Sequence, residues 1–162
     1  MMKKFTPVLL FAAAMFLYAC VSKDGPNFTA VQPAMAGLNN GQNWQVTLTD
    51  TIQNDSIQLH GRSKIDLLRI KLPDANTANV PLNDNTAQYY VYTSNGTIAQ
   101  NFKLDPAYNN TGTVTINTTT RAITGAFKAR FIINLNAINP DTTGVDTVTI
   151  TNGAYQIPLP VN

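Results

Sequence analysis

From Trp44 onward, apolar side chains return at every second position, in run after run. Trp44, Val46 and Leu48 alternate with Gln45, Thr47 and Thr49. Ile57 and Leu59 alternate with Gln58 and His60, and Leu68, Ile70 and Leu72 with Arg69 and Lys71. Val114 and Ile116 alternate with Thr113 and Thr115. Ile123, Gly125, Phe127, Ala129 and Phe131 form the longest stripe, with Thr124, Lys128 and Arg130 opposite. Val148 and Ile150 alternate with Thr147, Thr149 and Thr151. A period of two puts successive side chains on opposite faces of a strand, so these are antiparallel strands with one dry and one wet face. Tyr89 to Thr93 reads as a further strand whose inward face the consecutive tyrosines leave open. Composition agrees. The chain has no Glu, and Thr and Asn make up about a quarter of its 162 residues. Glu favours helices, whereas Thr favours strands and Asn turns.

Turn residues separate the runs: Asn39-Asn40-Gly41, Asp50 to Asp55, Asn109-Asn110-Thr111-Gly112 and Pro140-Asp141-Thr142-Thr143-Gly144. Across Asn152-Gly153 the apolar phase flips, from Val148 and Ile150 to Tyr155, Ile157 and Leu159. One extra residue at a glycine is what a β-bulge produces. The expected fold is all-β, a single antiparallel β-sandwich or flattened β-barrel of about eight strands, over residues 28–162.

The N-terminus has a different character. Lys3 and Lys4 precede an uncharged run from Pro7 to Ala19. About 13 residues fall short of the roughly 20 that span a bilayer, so residues 1–19 are expected to form a signal peptide. Leu17-Tyr18-Ala19-Cys20 resembles a bacterial lipobox, although Tyr18 stands where a small residue is more usual. That resemblance implies cleavage before Cys20 and attachment of acyl chains, palmitate among them, to the cysteine. Residues 20–27 then form the lipidated Cys and a short tether, and the membrane becomes a partner through the lipid. The seven residues after Cys20 reach at most about 25 Å. Removing Lys3 and Lys4 leaves nine basic side chains against nine aspartates. A neutral domain has no electrostatic footprint for nucleic acid.

Few residues suggest chemistry. The chain has one Cys and one His, which excludes an internal disulfide and a multi-histidine metal cage. His60 could serve as a general base, but it shares the polar parity of Ser56 and Gln58, where it is solvated. Asp50 with Asp55, and Asp141 with Asp146, offer oxygens to Ca²⁺ without the alternating spacing of a dedicated site. No metal, no cofactor and no catalytic residue is expected. Asp50-Thr51-Ile52, Asp55-Ser56-Ile57, Asp141-Thr142-Thr143 and Asp146-Thr147-Val148 resemble an O-glycosylation sequon of exported proteins of Bacteroidota. That resemblance makes Thr51, Ser56, Thr142 and Thr147 candidate sites. Asp-Thr is also an ordinary loop-to-strand junction.

Asn40-Gly41, Trp44, Leu72-Pro73, Gly112-Thr113-Val114-Thr115-Ile116, Ile123-Thr124-Gly125-Ala126-Phe127 and Val148-Thr149-Ile150-Thr151-Asn152-Gly153-Ala154-Tyr155 follow one another in an order that resembles small surface lipoproteins of unknown function from Bacteroidota. The resemblance implies an all-β, lipid-anchored domain and transfers no catalytic residue, and Val21, where an Asp would resemble an inner-membrane retention signal, points to the outer membrane. Two functions remain open. One is a non-catalytic binding or structural module whose partner is a surface glycan or an envelope protein. The other is a calycin-like carrier of a small apolar ligand. Gly125, Ala126 and Ala129 either leave room for such a ligand or fit close packing.

Overall fold

A computed structural model describes residues 31–135 and 144–160. Ten strands run through them: β1 (Ala34–Asn39), β2 (Gln42–Gln53), β3 (Ser56–Arg62), β4 (Asp66–Pro73), β5 (Thr77–Pro81), β6 (Ala87–Tyr92), β7 (Ile98–Leu104), β8 (Thr111–Asn117), β9 (Ala122–Ile133) and β10 (Thr147–Pro158). No described residue is helical. All pairings are antiparallel, in one sheet ordered β10-β1-β2-β3-β4-β6-β7-β9-β8-β5, and β9 also pairs with β10. Eight strands therefore close a ring, from β10 through β1, β2, β3, β4, β6, β7 and β9 back to β10. β8 and β5 extend from the free part of the β9 edge. The all-β expectation holds, with ten strands in place of about eight.

The apolar stripes face the inside of the ring. Ile57, Leu59, Leu68, Ile123, Ala129, Phe131, Ile150 and Ile157 are fully buried, and Trp44, Val46, Leu48 and Phe127 nearly so. At the centre the Tyr89 ring meets Phe102 edge-on at 5.8 Å and Phe131 at 5.6 Å between centroids. Tyr89 is thus the inward tyrosine, which settles the open face of β6. Aromatic pairs in these arrangements add about 0.5–1.5 kcal/mol beyond the area they bury.

The hairpins are set by local backbone chemistry. Asn40 and Gly41 take φ of 49° and 81°, and Asn54 and Asp55 take 50° and 54°. Two successive positive φ values characterise a type I′ turn, whose twist matches that of the strands it joins. The second of these turns corrects the expectation of a loop from Asp50 to Asp55. β2 continues to Gln53, and only Asn54-Asp55 turn. Asp50 lies on the inward parity of β2 with Leu48 and Ile52. The phase flip at Asn152-Gly153 is a bulge, because Ile150 pairs with Ala129 whereas Gly153 pairs with Phe127. A Cβ on Gly153 would lie 2.7 Å from the Phe127 ring and from its carbonyl oxygen, so the bulge needs glycine there.

The β9 edge changes partner without losing a bond. β8 pairs with it as far as Lys128 and β7 takes over at Phe131. Between them the Asn110 Oδ1 accepts the Arg130 N–H at 2.8 Å, and the Asp105 N–H donates to the Arg130 carbonyl at 2.8 Å. The buried Asn110 amide also donates to the carbonyls of Asp105 and Tyr108. One side chain thereby replaces the missing stretch of ladder, as buried backbone groups require.

Candidate functional site

Three features combine on the outer face of β2, β3, β4 and β6. β3 presents Gln58, His60 and Arg62 outward, and β4 presents Arg69 and Lys71. β5 leaves the ring to pair with β8, so β6 becomes the neighbour of β4 and brings Gln88, Tyr90 and Tyr92 beside them. Register then makes rows. Thr49, His60, Arg69 and Gln88 stand side by side, as do Thr47, Arg62, Leu67 and Tyr90.

Within these rows the arginines lean onto the tyrosines. The Arg62 guanidinium lies 5.3 Å from the Tyr92 ring centre, and that of Arg69 lies 5.5 Å from Tyr90. The Tyr90 hydroxyl donates to Gln88 Oε1 at 2.9 Å, which fixes the ring. Tyr90 and Tyr92 are two residues apart on one strand, so the two stacks sit about 7 Å from each other. Leu67 shares the outward parity, yet it is buried in the row between Arg62 and Tyr90. Two clefts open on this face. One, of about 650 Å³, is lined by Thr47, Thr49, His60, Arg62, Lys64 and Leu67 among others. The other, of about 440 Å³, is lined by Gln58, His60, Arg69, Lys71 and Gln88 among others.

The charge of this face has one sign. Arg62, Lys64, Arg69 and Lys71 are all exposed, and neither cleft has a carboxylate in its wall. Among the described residues the only ion pair is Arg130 with Asp105, on another part of the molecule. Asp84 borders the face, and its Oδ1 accepts the Leu104 N–H. His60 sits between the two clefts. Partial burial lowers its pKa first, and the neighbouring Arg69 charge lowers it further. His60 is therefore a neutral imidazole at neutral pH, flanked by cations.

The remaining sequence candidates are scattered. Cys20, Thr142 and Asp141 lie outside the described residues. Thr51 is exposed at the end of β2, and Thr147 is exposed at the start of β10. Ser56 is buried, and its Oγ donates to the Gln53 carbonyl at 2.8 Å, so a sugar there would have to break the turn. Asp50 points inward and its burial raises its pKa, whereas Asp55 sits in the turn. Among the described residues no three of His, Cys, Asp and Glu converge. Gly125, one of the small residues of the stripe, leaves no room beside it. A Cβ on Gly125 would lie 2.0 Å from the Thr113 carbonyl and 2.5 Å from the Tyr155 ring, whose hydroxyl donates to that same carbonyl.

Residues 31–158 match the family described as a domain of unknown function (DUF6252). The chain belongs to this family. The match runs from just before β1 to the last residue of β10, so the DUF6252 unit is the closed ring with its β5–β8 extension. Neither the curated proteins nor the solved structures contain a match to the chain.

The arginine–tyrosine face was not singled out from the sequence. Arg69 and Lys71 read as solvated alternates and Tyr90 as one of an ambiguous pair. The available signal was that Arg62 continues the parity of Gln58 and His60. Its tyrosine partners depend on β4 meeting β6, a pairing that skips one strand and has no local signature.

Proposed function

We propose that this chain is a lipid-anchored lipoprotein of the outer membrane, of the small Bacteroidota type, and that its all-β domain is a non-catalytic module binding an envelope or surface partner through the outer face of β2, β3, β4 and β6. The observation that carries the binding reading is the contrast between an interior of buried apolar side chains and an outer face of exposed cations, two of them held over tyrosines. Of Gly125, Ala126 and Ala129, on which the carrier alternative rests, Gly125 is packed against the Tyr155 ring. Anchoring rests on the lipobox-like Leu17-Tyr18-Ala19-Cys20. It fits the topology, in which the start of β1 lies beside the end of β10 and both described chain ends leave from one end of the ring. The turns after β1, β3 and β6 lie at the opposite end.

The non-catalytic reading is supported by the groups available. Neither cleft beside the chain's one histidine has a carboxylate in its wall to orient the imidazole, and the one thiol is assigned to lipid. Two measurements test the proposal. Cys20→Ser should end lipid labelling and release the protein from the membrane fraction. The full chain should be retained on immobilised envelope polymers, neutral or charged, and lose retention when Arg69 and Tyr90 are both replaced by Ser. A turnover of glycosides, esters or peptides that disappears with His60→Ala or with one Asp→Ala change would replace the binding reading with an enzyme.

A further inference from the structure

The face just described is specific about charge. We propose that Arg62, Arg69 and Lys71 form a track that binds a linear anionic glycan, a sugar chain bearing repeated carboxylate or sulfate groups. This rests on the binding reading above and narrows it.

The geometry favours this occupant for four reasons. First, the cations repeat. Arg69 and Lys71 are two residues apart on β4, and the two guanidinium–tyrosine stacks are also about 7 Å apart, so positive groups recur along one direction. A chain carrying charge at intervals meets such a track better than a single small anion does. Second, the guanidiniums are held over rings and have no carboxylate partner among the described residues, so their forks remain available for bidentate contact with carboxylate or sulfate.

Third, a guanidinium lies over each of the two tyrosine rings, which leaves less open ring face than the bare aromatic platforms that single-stranded nucleic-acid sites use. Fourth, the side chains between the cations are Thr47, Thr49, Gln58 and Gln88, hydroxyls and amides that pair with sugar hydroxyls. The one apolar side chain of the rows, Leu67, is buried, whereas the exposed Ile65 and Ile98 lie beyond the rows, next to Tyr92, so vesicle binding is the control that separates a membrane surface from a glycan.

The test uses the full chain in detergent and follows its retardation in gels containing polygalacturonate, dextran sulfate or neutral dextran. Retardation by polygalacturonate or dextran sulfate, weakening with salt and absent with dextran, is the expected result. The two anionic polymers separate carboxylate from sulfate as the preferred group. The Arg62→Gln/Arg69→Gln double variant should bind about tenfold or more weakly while still unfolding cooperatively, only modestly below the parent's melting temperature. Lys71→Glu, at an exposed position outside both stacks, should weaken binding without touching the tyrosines. Unchanged retardation of both variants would overturn the proposal, as would tighter binding to oligothymidylate or to phosphatidylglycerol vesicles than to either glycan. Retention by neutral dextran alone, lost with Arg69→Ser/Tyr90→Ser, would overturn the anionic assignment and leave the binding reading standing. Retention by no polymer would overturn the anionic-glycan assignment.

Discussion

Tyr89 and Tyr90 share a strand and a residue type, but the inner and outer faces of β6 use them differently. Tyr89 is 1% exposed and packs against Phe102 and Phe131. Its hydroxyl accepts from the Asn39 amide at 3.1 Å, and burial with the nearby Asp66 carboxylate pushes its pKa well above the ordinary phenol range. Tyr90 is half-buried and carries the Arg69 guanidinium over its ring. One tyrosine closes a core and the other holds a cation at the surface. The lesson concerns how a single strand divides its work. The inner row determines whether the ring closes, and the outer row can vary with little cost to stability.

Truncating both tyrosines is the strongest attack on that division. Tyr89→Ala should destabilise the chain by about 3–5 kcal/mol, the range for removing a large buried aromatic. Tyr90→Ala should cost about 1 kcal/mol or less, since its ring contact is an exposed cation–π pair. Urea unfolding of the two variants checks this. Comparable losses would mean that the outer row is part of the structural core.

A second attack works by addition. Gly125→Ala places a methyl against the Thr113 carbonyl and the Tyr155 ring, and overpacking of this kind costs about 1–3 kcal/mol. A silent Gly125→Ala would show that the ring can yield at this point, and would revive the carrier reading. The same urea titration is sufficient.

The inner row was also the legible one. The stripes of β2, β3, β4, β9 and β10 appear as alternation because one face of each is dry, and the bulge at Gly153 appeared as a change of phase. β1, β5 and β7 were missed for identifiable reasons. β1 is Ala-Met-Ala-Gly-Leu-Asn, in which small residues blur the period. β5 is mostly exposed, so burial imposes no pattern on it. The inward row of β7 is Gln100, Phe102 and Leu104, and it begins with a polar residue. The candidate site depends on the β4–β6 pairing, hence on β5 leaving the ring. Local periodicity carries no information about that, because the pairing is a long-range choice. Asn110 shows the same limit, reading as a turn residue although it bridges a gap in the β9 ladder.

Arg69→Gln should have a smaller effect on folding. Losing an exposed cation–π contact costs about 0.5–1 kcal/mol, and no carboxylate is left unpaired because none pairs with Arg69. A loss above about 2 kcal/mol in thermal unfolding would show that the outer face stabilises the fold more than the comparison allows.

The smallest expected effect is the shift of one titration, and it probes the outer face directly. His60 is the chain's only histidine, so its imidazole resonances are unambiguous. Its folded pKa is lowered, by partial burial first and by the Arg69 charge second. The unfolded group titrates near 6.5. As pH falls below about 7, the unfolded chain takes up a proton that the folded chain resists. The unfolded state then binds more protons, so stability falls with falling pH until the folded imidazole is protonated too. His60→Gln should flatten that part of the profile. Asp50 contributes with the opposite sign at lower pH. Its pKa is raised, so the folded chain takes up that proton more readily and gains stability as the carboxylate protonates. Subtracting the His60→Gln profile from that of the parent isolates the histidine. Arg69→Gln then separates the two causes. The His60 midpoint should rise towards 6.5 and stop short of it, because burial remains when the charge is gone. A midpoint that does not move would mean that solvent screens the Arg69 charge from the imidazole, and the outer face would then be a set of independent side chains with no shared field.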